Sequence, residues 1–124
     1  MGVRSYRDPR PLSDKAYQIE ETKKLLDFLR LYGYANTALT SKHFPLGNKE
    51  FVNVFNFIYS ILDPAIPDRL PYVKFEEEAM KTMKMMLYPG NLTKSNFQAM
   101  GSPHSWPTVL GCLSFLCTLA NIYR

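Results

Sequence analysis

Three consecutive glutamates, Glu76 to Glu78, are the densest group of side chains in the sequence that could do acid–base chemistry or hold a metal ion. The surrounding pattern predicts that they lie in the first turn of a helix, where successive side chains point about 100° apart. Carboxylates arranged in this way do not converge on one proton or one cation. Because negative charge near a helix N-terminus is stabilised by the helix dipole, we interpret the glutamates as a structural charge cluster.

The histidines and cysteines give no sign of a metal site or a catalytic nucleophile. His43 and His104 have no cysteine or carboxylate at metal-ligand spacing. Cys112 and Cys117 lie five residues apart in an apolar stretch, so they point to different faces of a helix and are predicted to be reduced core residues. No glycine-rich phosphate loop is present. We therefore predict a non-enzymatic, intracellular protein without a metal or cofactor.

The charges are distributed unevenly along the chain of 124 residues, which has a net charge of +4. Glu78 is the last acidic residue, and the remainder carries only Lys81, Lys84, Lys94 and Arg124. Such asymmetry is typical of proteins that bind an acidic partner, which can be a nucleic acid, an anionic membrane or an acidic protein surface. The alternative is an ordinary solvated surface, and composition alone does not separate the two.

The first eleven residues are predicted to form an extended basic arm. Arg4, Arg7 and Arg10 supply its charge, and Pro9 and Pro11 disfavour a helix there. Residues 12–124 are predicted to form one domain, because an apolar content of 46% in a chain of this length supports a single core.

The chain is predicted to be all-α, since apolar residues recur at helical spacing and no segment alternates with the period of a strand. The main helices are predicted at 14–32, 49–62 and 73–87, with shorter helical segments at 41–44 and 93–100 and an irregular loop at 63–72. The first helix ends at Gly33, and Asn48 is predicted to cap the second. The apolar stripe of the first helix is predicted to contain Ala16, Ile19, Leu25, Leu26, Leu29 and Tyr32.

A last helix, which includes Val109 to Ala120, is apolar on almost every side and is predicted to be the buried centre of the domain. The run is shorter than the roughly 18 residues that indicate a membrane span. Ser105 is predicted to cap it, and Trp106 to anchor its first turn in the core. The methionines at 80, 83, 85 and 86, with Leu87, are interpreted as core on the third helix, and an adaptable binding groove is the alternative.

Four motifs together resemble one known family. They are Asp8–Lys15 (DPRPLSDK), Gly33–Ala35 (GYA), Lys74–Glu78 (KFEEE) and Gly101–Pro107 (GSPHSWP). In order and spacing they resemble the N-terminal calponin-homology domain of the HEC family of kinetochore proteins. The resemblance covers nearly the whole chain, and it implies a compact all-α calponin-homology fold.

The resemblance also implies a function. Family members bind microtubules at the outer kinetochore, in the nucleus, and connect chromosomes to the spindle during mitosis. The implied partners are tubulin, the calponin-homology domain of the NUF partner subunit, and further subunits of the complex through a coiled-coil rod absent from this chain. Nucleic acid and membrane are not implied as partners.

The residues that the resemblance assigns to microtubule binding are basic. Lys15, Lys94 and His104 match family motifs, Lys49 follows from a weaker local alignment, and Lys42 lies one place away from the basic residue that the family usually shows. We expect the first three to share one rigid face directed at the filament.

Two departures from the family pattern leave alternatives open. Only seven residues precede Asp8, where the family has a long basic tail, and no heptad repeat follows Arg124. We therefore expect a domain fragment of a longer protein. The alternative function is a calponin-homology module that acts mainly in protein pairing or actin binding.

Overall fold

The computed structural model describes residues 8–64 and 74–123, which form helices and no strand. This confirms the all-α prediction and agrees with a calponin-homology-like domain. None of the described helices has the length and apolar character to cross a membrane. The four helices are α1 (Lys15–Leu31), α2 (Asn48–Leu62), α3 (Phe75–Met85) and α4 (Trp106–Tyr123), and single 3₁₀ turns lie at Ser41–His43 and Lys94–Phe97.

Helix α4 is the centre of the domain, as its uniformly apolar sequence predicts. It packs against both α1 and α2. Val109, Cys112, Leu113 and Leu116 are fully buried along it, and Phe115 is partly exposed. Cys112 and Cys117 are buried free thiols, and burial raises the pKa of each to about 12. Both cysteines are therefore core residues rather than nucleophiles.

Helix α1 begins and ends where its sequence signals predict. The Asp14 carboxylate accepts a hydrogen bond from the Tyr17 backbone N–H at 3.0 Å, and Gly33 ends the helix with a φ of 81°. Leu25 and Leu29 are buried as expected. The predicted stripe is wrong at its start: Ala16 is exposed, and Ile19 is 62% exposed. The reason is that the first turns of α1 face an open groove instead of the core.

Helix α2 begins at a glycine rather than at the predicted asparagine cap. Gly47 occupies the cap position without a side chain, and Asn48 is the first helical residue. The Asn48 amide instead donates to the Gln98 carbonyl at 2.8 Å and accepts from the Met100 N–H at 3.0 Å. Asn48 therefore ties the start of α2 to the segment ahead of α4, which a cap prediction from neighbouring residues could not reveal.

A cluster of four phenylalanines joins α2, α3 and the second 3₁₀ turn. Phe75 lies 5.2 Å from Phe55, 6.2 Å from Phe51 and 6.1 Å from Phe97, measured between ring centroids, and its contacts are edge-to-face. All four rings are buried. Edge-to-face pairs contribute about 0.5–1.5 kcal/mol each beyond the area they bury, so this cluster is a main source of stability.

Helix α3 is shorter than predicted. It ends at Met85, and Leu87 adopts a φ of 60° that turns the chain away, so that Met85 and Leu87 are exposed. The core interpretation holds for Met83, which is fully buried, and is wrong for these two residues. The predicted start at Val73, and most of the predicted loop at 63–72, lie outside the described residues.

Arg10 holds the chain ahead of α1 against the domain. Its guanidinium donates to the Gly111 carbonyl at 2.8 Å, to the Tyr88 hydroxyl at 2.6 Å and to the Asp8 carboxylate at 2.7 Å. We call Asp8, Arg10, Tyr88 and Gly111 the Arg10 clamp. Arg10 is therefore packed on the fold, and residues 1–7 of the predicted arm lie outside the described residues.

Gly111 makes the clamp possible because it has no side chain. A methyl group added at its Cα would lie 3.0 Å from Leu12 Cδ2, 3.1 Å from the Tyr88 hydroxyl and 3.4 Å from Arg10 Nη2. The glycine lets the guanidinium approach the α4 backbone closely, and it explains the gap in the apolar surface of that helix.

Candidate functional site

A groove of about 700 Å³ opens on the described part of the chain. It lies between the first turns of α1, the segment 41–45 and the start of α4, and we call it the α1–α4 groove. Its apolar lining is formed by Ile19, Phe44, Pro45, Pro103, Trp106 and Pro107. The groove is thus built where the three segments meet, with the first residue of the central helix in its wall.

The charged side chains that line the groove are both positive. Lys15 and Lys23 are exposed at its edge, and no described carboxylate lines it. Asp14 and Glu20 are neighbours of lining residues in sequence, but the Asp14 carboxylate caps α1 and neither residue lines the groove. The groove therefore combines an apolar interior with a basic edge.

Of the five predicted microtubule-binding residues, one lines this groove and two are sequence neighbours of lining residues. Lys15 lines it, Lys42 follows the lining residue Ser41, and His104 follows the lining residue Pro103. All three side chains are exposed. His104 lies in the turn from Gly101 to Pro107, which contributes Pro103, Trp106 and Pro107 to the groove lining.

The other two predicted residues do not line the groove. Lys94 lies in the second 3₁₀ turn, and its Nζ is 3.2 Å from the Glu77 carboxylate of α3. Lys49 follows Asn48, which is hydrogen-bonded to Gln98 and Met100 just beyond that turn. Lys15 is thus the predicted residue that lines the groove, and Lys49 and Lys94 lie outside its lining.

The basic residues differ in how they are neutralised. Within the described residues, Lys15, Lys42 and Lys49 form no ion pair, whereas Lys94 is paired with Glu77. Both members of that pair are about half exposed, so its worth is about 0–1 kcal/mol and it exchanges readily with water. Three lysine charges are consequently free to act on an approaching acidic surface.

Much of the motif set serves the fold rather than this surface. In the GYA motif, the Tyr34 hydroxyl donates to the Glu50 carboxylate and its ring packs edge-on against Phe57 at 5.1 Å. Burial, and then the bond to Glu50, raise the pKa of Tyr34. In the GSPHSWP motif, Trp106 is buried and packs edge-on against Phe44 at 5.8 Å. These residues fix the framework from which the exposed lysines project.

Across residues 8–64 and 74–123, no group of three or more His, Cys, Asp or Glu side chains is arranged to hold a metal ion. His43 instead accepts a hydrogen bond from the Thr40 backbone N–H at 3.0 Å, which closes the turn ahead of Phe44. What the described surface offers is binding through shape and charge.

Sequence reasoning missed the groove and the clamp. The helical pattern predicts a core position for Ile19, and the charge pattern predicts that Arg10 belongs to an extended basic arm. One signal for the clamp was present, since a proline on each side of Arg10 restricts the backbone and is typical of a segment held in one conformation.

Comparisons with known proteins agree on one family. The model of the HEC/Ndc80p family matches residues 16–124. A kinetochore protein NDC80 homolog of Gallus gallus is 39% identical over 123 residues, which cover 98% of this chain and 19% of that protein. The homolog of Danio rerio is 34% identical over 122 residues, with the same two coverages.

The similarity extends to fungi. The kinetochore protein ndc80 of Schizosaccharomyces pombe is 32% identical over 119 residues, which cover 94% of this chain and 19% of that protein. The chain thus spans about a fifth of the length of the curated relatives it matches.

Proposed function

Because the chain belongs to the HEC/Ndc80p family, we propose that it is a microtubule-binding domain of an outer-kinetochore subunit, which couples chromosomes to the spindle in mitosis. Its relatives are named as kinetochore proteins and not as enzymes. Those names support a location at the kinetochore, on the centromere of the chromosome in the nucleus. In this proposal residues 12–124 form the calponin-homology domain.

The observation that carries the proposal is that three of the five predicted residues, Lys15, Lys42 and Lys49, are exposed and form no ion pair with a described residue. Tubulin surfaces are acidic, so these side chains gain attraction without first giving up an intramolecular partner. Each exposed contact contributes about 0–1 kcal/mol, and salt screens it over about 8 Å at physiological ionic strength. A single domain therefore binds weakly, and several tethered copies bind firmly through their effective concentration.

Reversing one groove-edge charge tests the proposal. Lys15→Glu is expected to weaken co-sedimentation with microtubules about fivefold or more at low salt, because an attraction becomes a repulsion. The loss should shrink at high salt, and the midpoint of thermal unfolding should stay nearly unchanged, since Lys15 is exposed.

The matched control is Lys24→Glu. Lys24 lies nine residues further along α1, on the opposite face, and is paired with Glu21 at 3.3 Å. This control has the same net charge as Lys15→Glu and should bind like the wild type. Equal binding of Lys15→Glu and wild type at low salt would show that the groove edge is not part of the interface.

Parallel sedimentation with filamentous actin tests the alternative function: actin-selective pelleting would favour an actin-binding module.

The ion pair of Lys94 provides a second prediction, with the opposite sign. Glu77→Gln is expected to strengthen microtubule binding about twofold at low salt, because it releases Lys94 and removes a competing carboxylate. Glu78→Gln, the same change at the next position, frees Lys81 from its pair at 3.8 Å and should leave binding unchanged. Binding of Glu77→Gln equal to that of the wild type would place Lys94 outside the interface, and weaker binding would also contradict the prediction.

The remaining partners are proposed from the resemblance. They are the calponin-homology domain of the NUF partner subunit and, through a coiled-coil rod of the family, further outer-kinetochore subunits. Analytical ultracentrifugation of the chain mixed with the NUF domain tests the first of these contacts, and two independent sedimenting species would contradict it.

A further inference from the structure

The α1–α4 groove is more apolar than binding through lysine charges requires. We infer that it receives an apolar side chain from an acidic segment of the tubulin surface, an inference that rests on the proposed function. The lysines then supply attraction that salt weakens, and the groove supplies a contact that salt leaves largely intact.

The first argument is the exposed isoleucine. Ile19 is 62% exposed and lines the groove together with Phe44 and Trp106. Aliphatic surface in water is unfavourable, by roughly 25 cal/mol for each Å². The side chain therefore has free energy to gain when a partner covers it, which does not apply to an isoleucine already in the core.

The second argument is that the groove is already formed. Pro45, Pro103 and Pro107 line it and restrict the backbone on two of its sides. Trp106 is buried and held edge-on against Phe44, so its ring does not need to move. A preformed site pays little ordering entropy on binding.

The third argument fixes the chemistry of the occupant. The lining contains Lys15 and Lys23 and no described carboxylate, which favours negative charge next to the inserted apolar group. The volume of about 700 Å³ falls within the roughly 300–1,000 Å³ typical of ligand sites and exceeds the space of one side chain. The occupant is thus a short segment with carboxylates on either side of an aliphatic or aromatic residue.

The test compares two exposed isoleucines in the 124-residue chain. Ile19→Ser removes the groove contact, and Ile122→Ser is the control, because Ile122 is 65% exposed on α4 and does not line the groove. Isoleucine and serine have similar helix propensities, so neither change should disturb folding. Unfolding curves of both variants check this.

Microtubule co-sedimentation at two salt concentrations gives the first readout. Ile19→Ser is expected to bind about five- to tenfold more weakly than wild type at both concentrations, whereas the loss caused by Lys15→Glu shrinks at the higher one. Ile122→Ser should bind like the wild type. Equal binding of Ile19→Ser and wild type at both salt concentrations would overturn the inference.

The second readout does not depend on microtubules. Trp106 is the single tryptophan of the chain and lines the groove, so its emission reports occupancy. A glutamate-rich peptide with one central phenylalanine should shift that emission saturably. The shift should be at least fivefold weaker when the phenylalanine is replaced by serine, or the glutamates by lysines, and should be lost in Ile19→Ser.

The two readouts separate failure of the inference from failure of the proposed function. If the wild type does not pellet with microtubules but the acidic peptide still shifts Trp106, the proposed function fails and the groove specificity stands. If the chain pellets with microtubules but the emission does not respond to millimolar peptide, the groove inference is overturned and the proposed function stands.

Discussion

Phe75→Ala is expected to lower the free energy of unfolding by about 3–5 kcal/mol, the largest stability loss that we predict for a single substitution. Phe75 is 2% exposed and touches the rings of Phe51, Phe55 and Phe97. Removing its ring leaves a cavity between α2 and α3 that three other rings cannot collapse to fill. Because small domains are stable by only about 5–15 kcal/mol, the variant should be close to unfolding at physiological temperature.

Urea denaturation followed by circular dichroism measures this loss. Met85→Ala is the control, since Met85 lies on the same helix but is 74% exposed, and a change within about 0.5 kcal/mol is expected there. A loss below 1 kcal/mol for Phe75→Ala would contradict the described packing of α3.

Arg10→Ala is expected to cost about 2–4 kcal/mol, although Arg10 lies outside every helix. The substitution leaves the Asp8 carboxylate, whose side chain is only 12% exposed, without its cation, and it removes the bonds to Tyr88 and the Gly111 carbonyl. Arg30→Ala is the control, because that residue forms only an exposed pair with Asp27 at 3.9 Å and should cost less than about 1 kcal/mol.

The loss at Arg10 should depend on pH in a defined direction. The hydrogen bond from the Arg10 side chain lowers the pKa of Asp8 below its ordinary value near 3.9. That stabilisation is present above the unfolded pKa and disappears as the pH falls through the folded pKa. The difference between wild type and Arg10→Ala should therefore be largest near neutral pH and shrink below about pH 4. A difference that stays constant down to pH 2 would show that the Asp8 ion pair does not contribute to the loss.

The main helices and the core could be predicted from local patterns. The uniformly apolar run at Val109–Ala120, the Asp14 cap and Gly33 each carry their signal within a few residues, and the structure confirms all three. Local signals failed where tertiary contacts decide. Gly47 occupies the cap position of α2, because the Asn48 side chain is hydrogen-bonded to Gln98, 50 residues further along the chain. Ile19 fits the apolar stripe of α1 but is exposed, because no described helix covers it.

The candidate site was predictable only in part. Motif resemblance pointed to Lys15 and His104, which the structure places at or next to the groove, and it gave no indication of the groove itself. The groove is formed by α1, the segment 41–45 and the start of α4, which meet only after folding. The apolar periodicity of one segment carries no information about which other segments it will contact.

Helix α4 also has a mechanical consequence. It begins at the groove with Trp106 and continues without a break to Tyr123, a distance of about 27 Å at 1.5 Å per residue. A force applied between the groove and Tyr123 would act along the axis of this helix. Because α4 packs against both α1 and α2, such a force would shear both interfaces together instead of detaching one helix at a time.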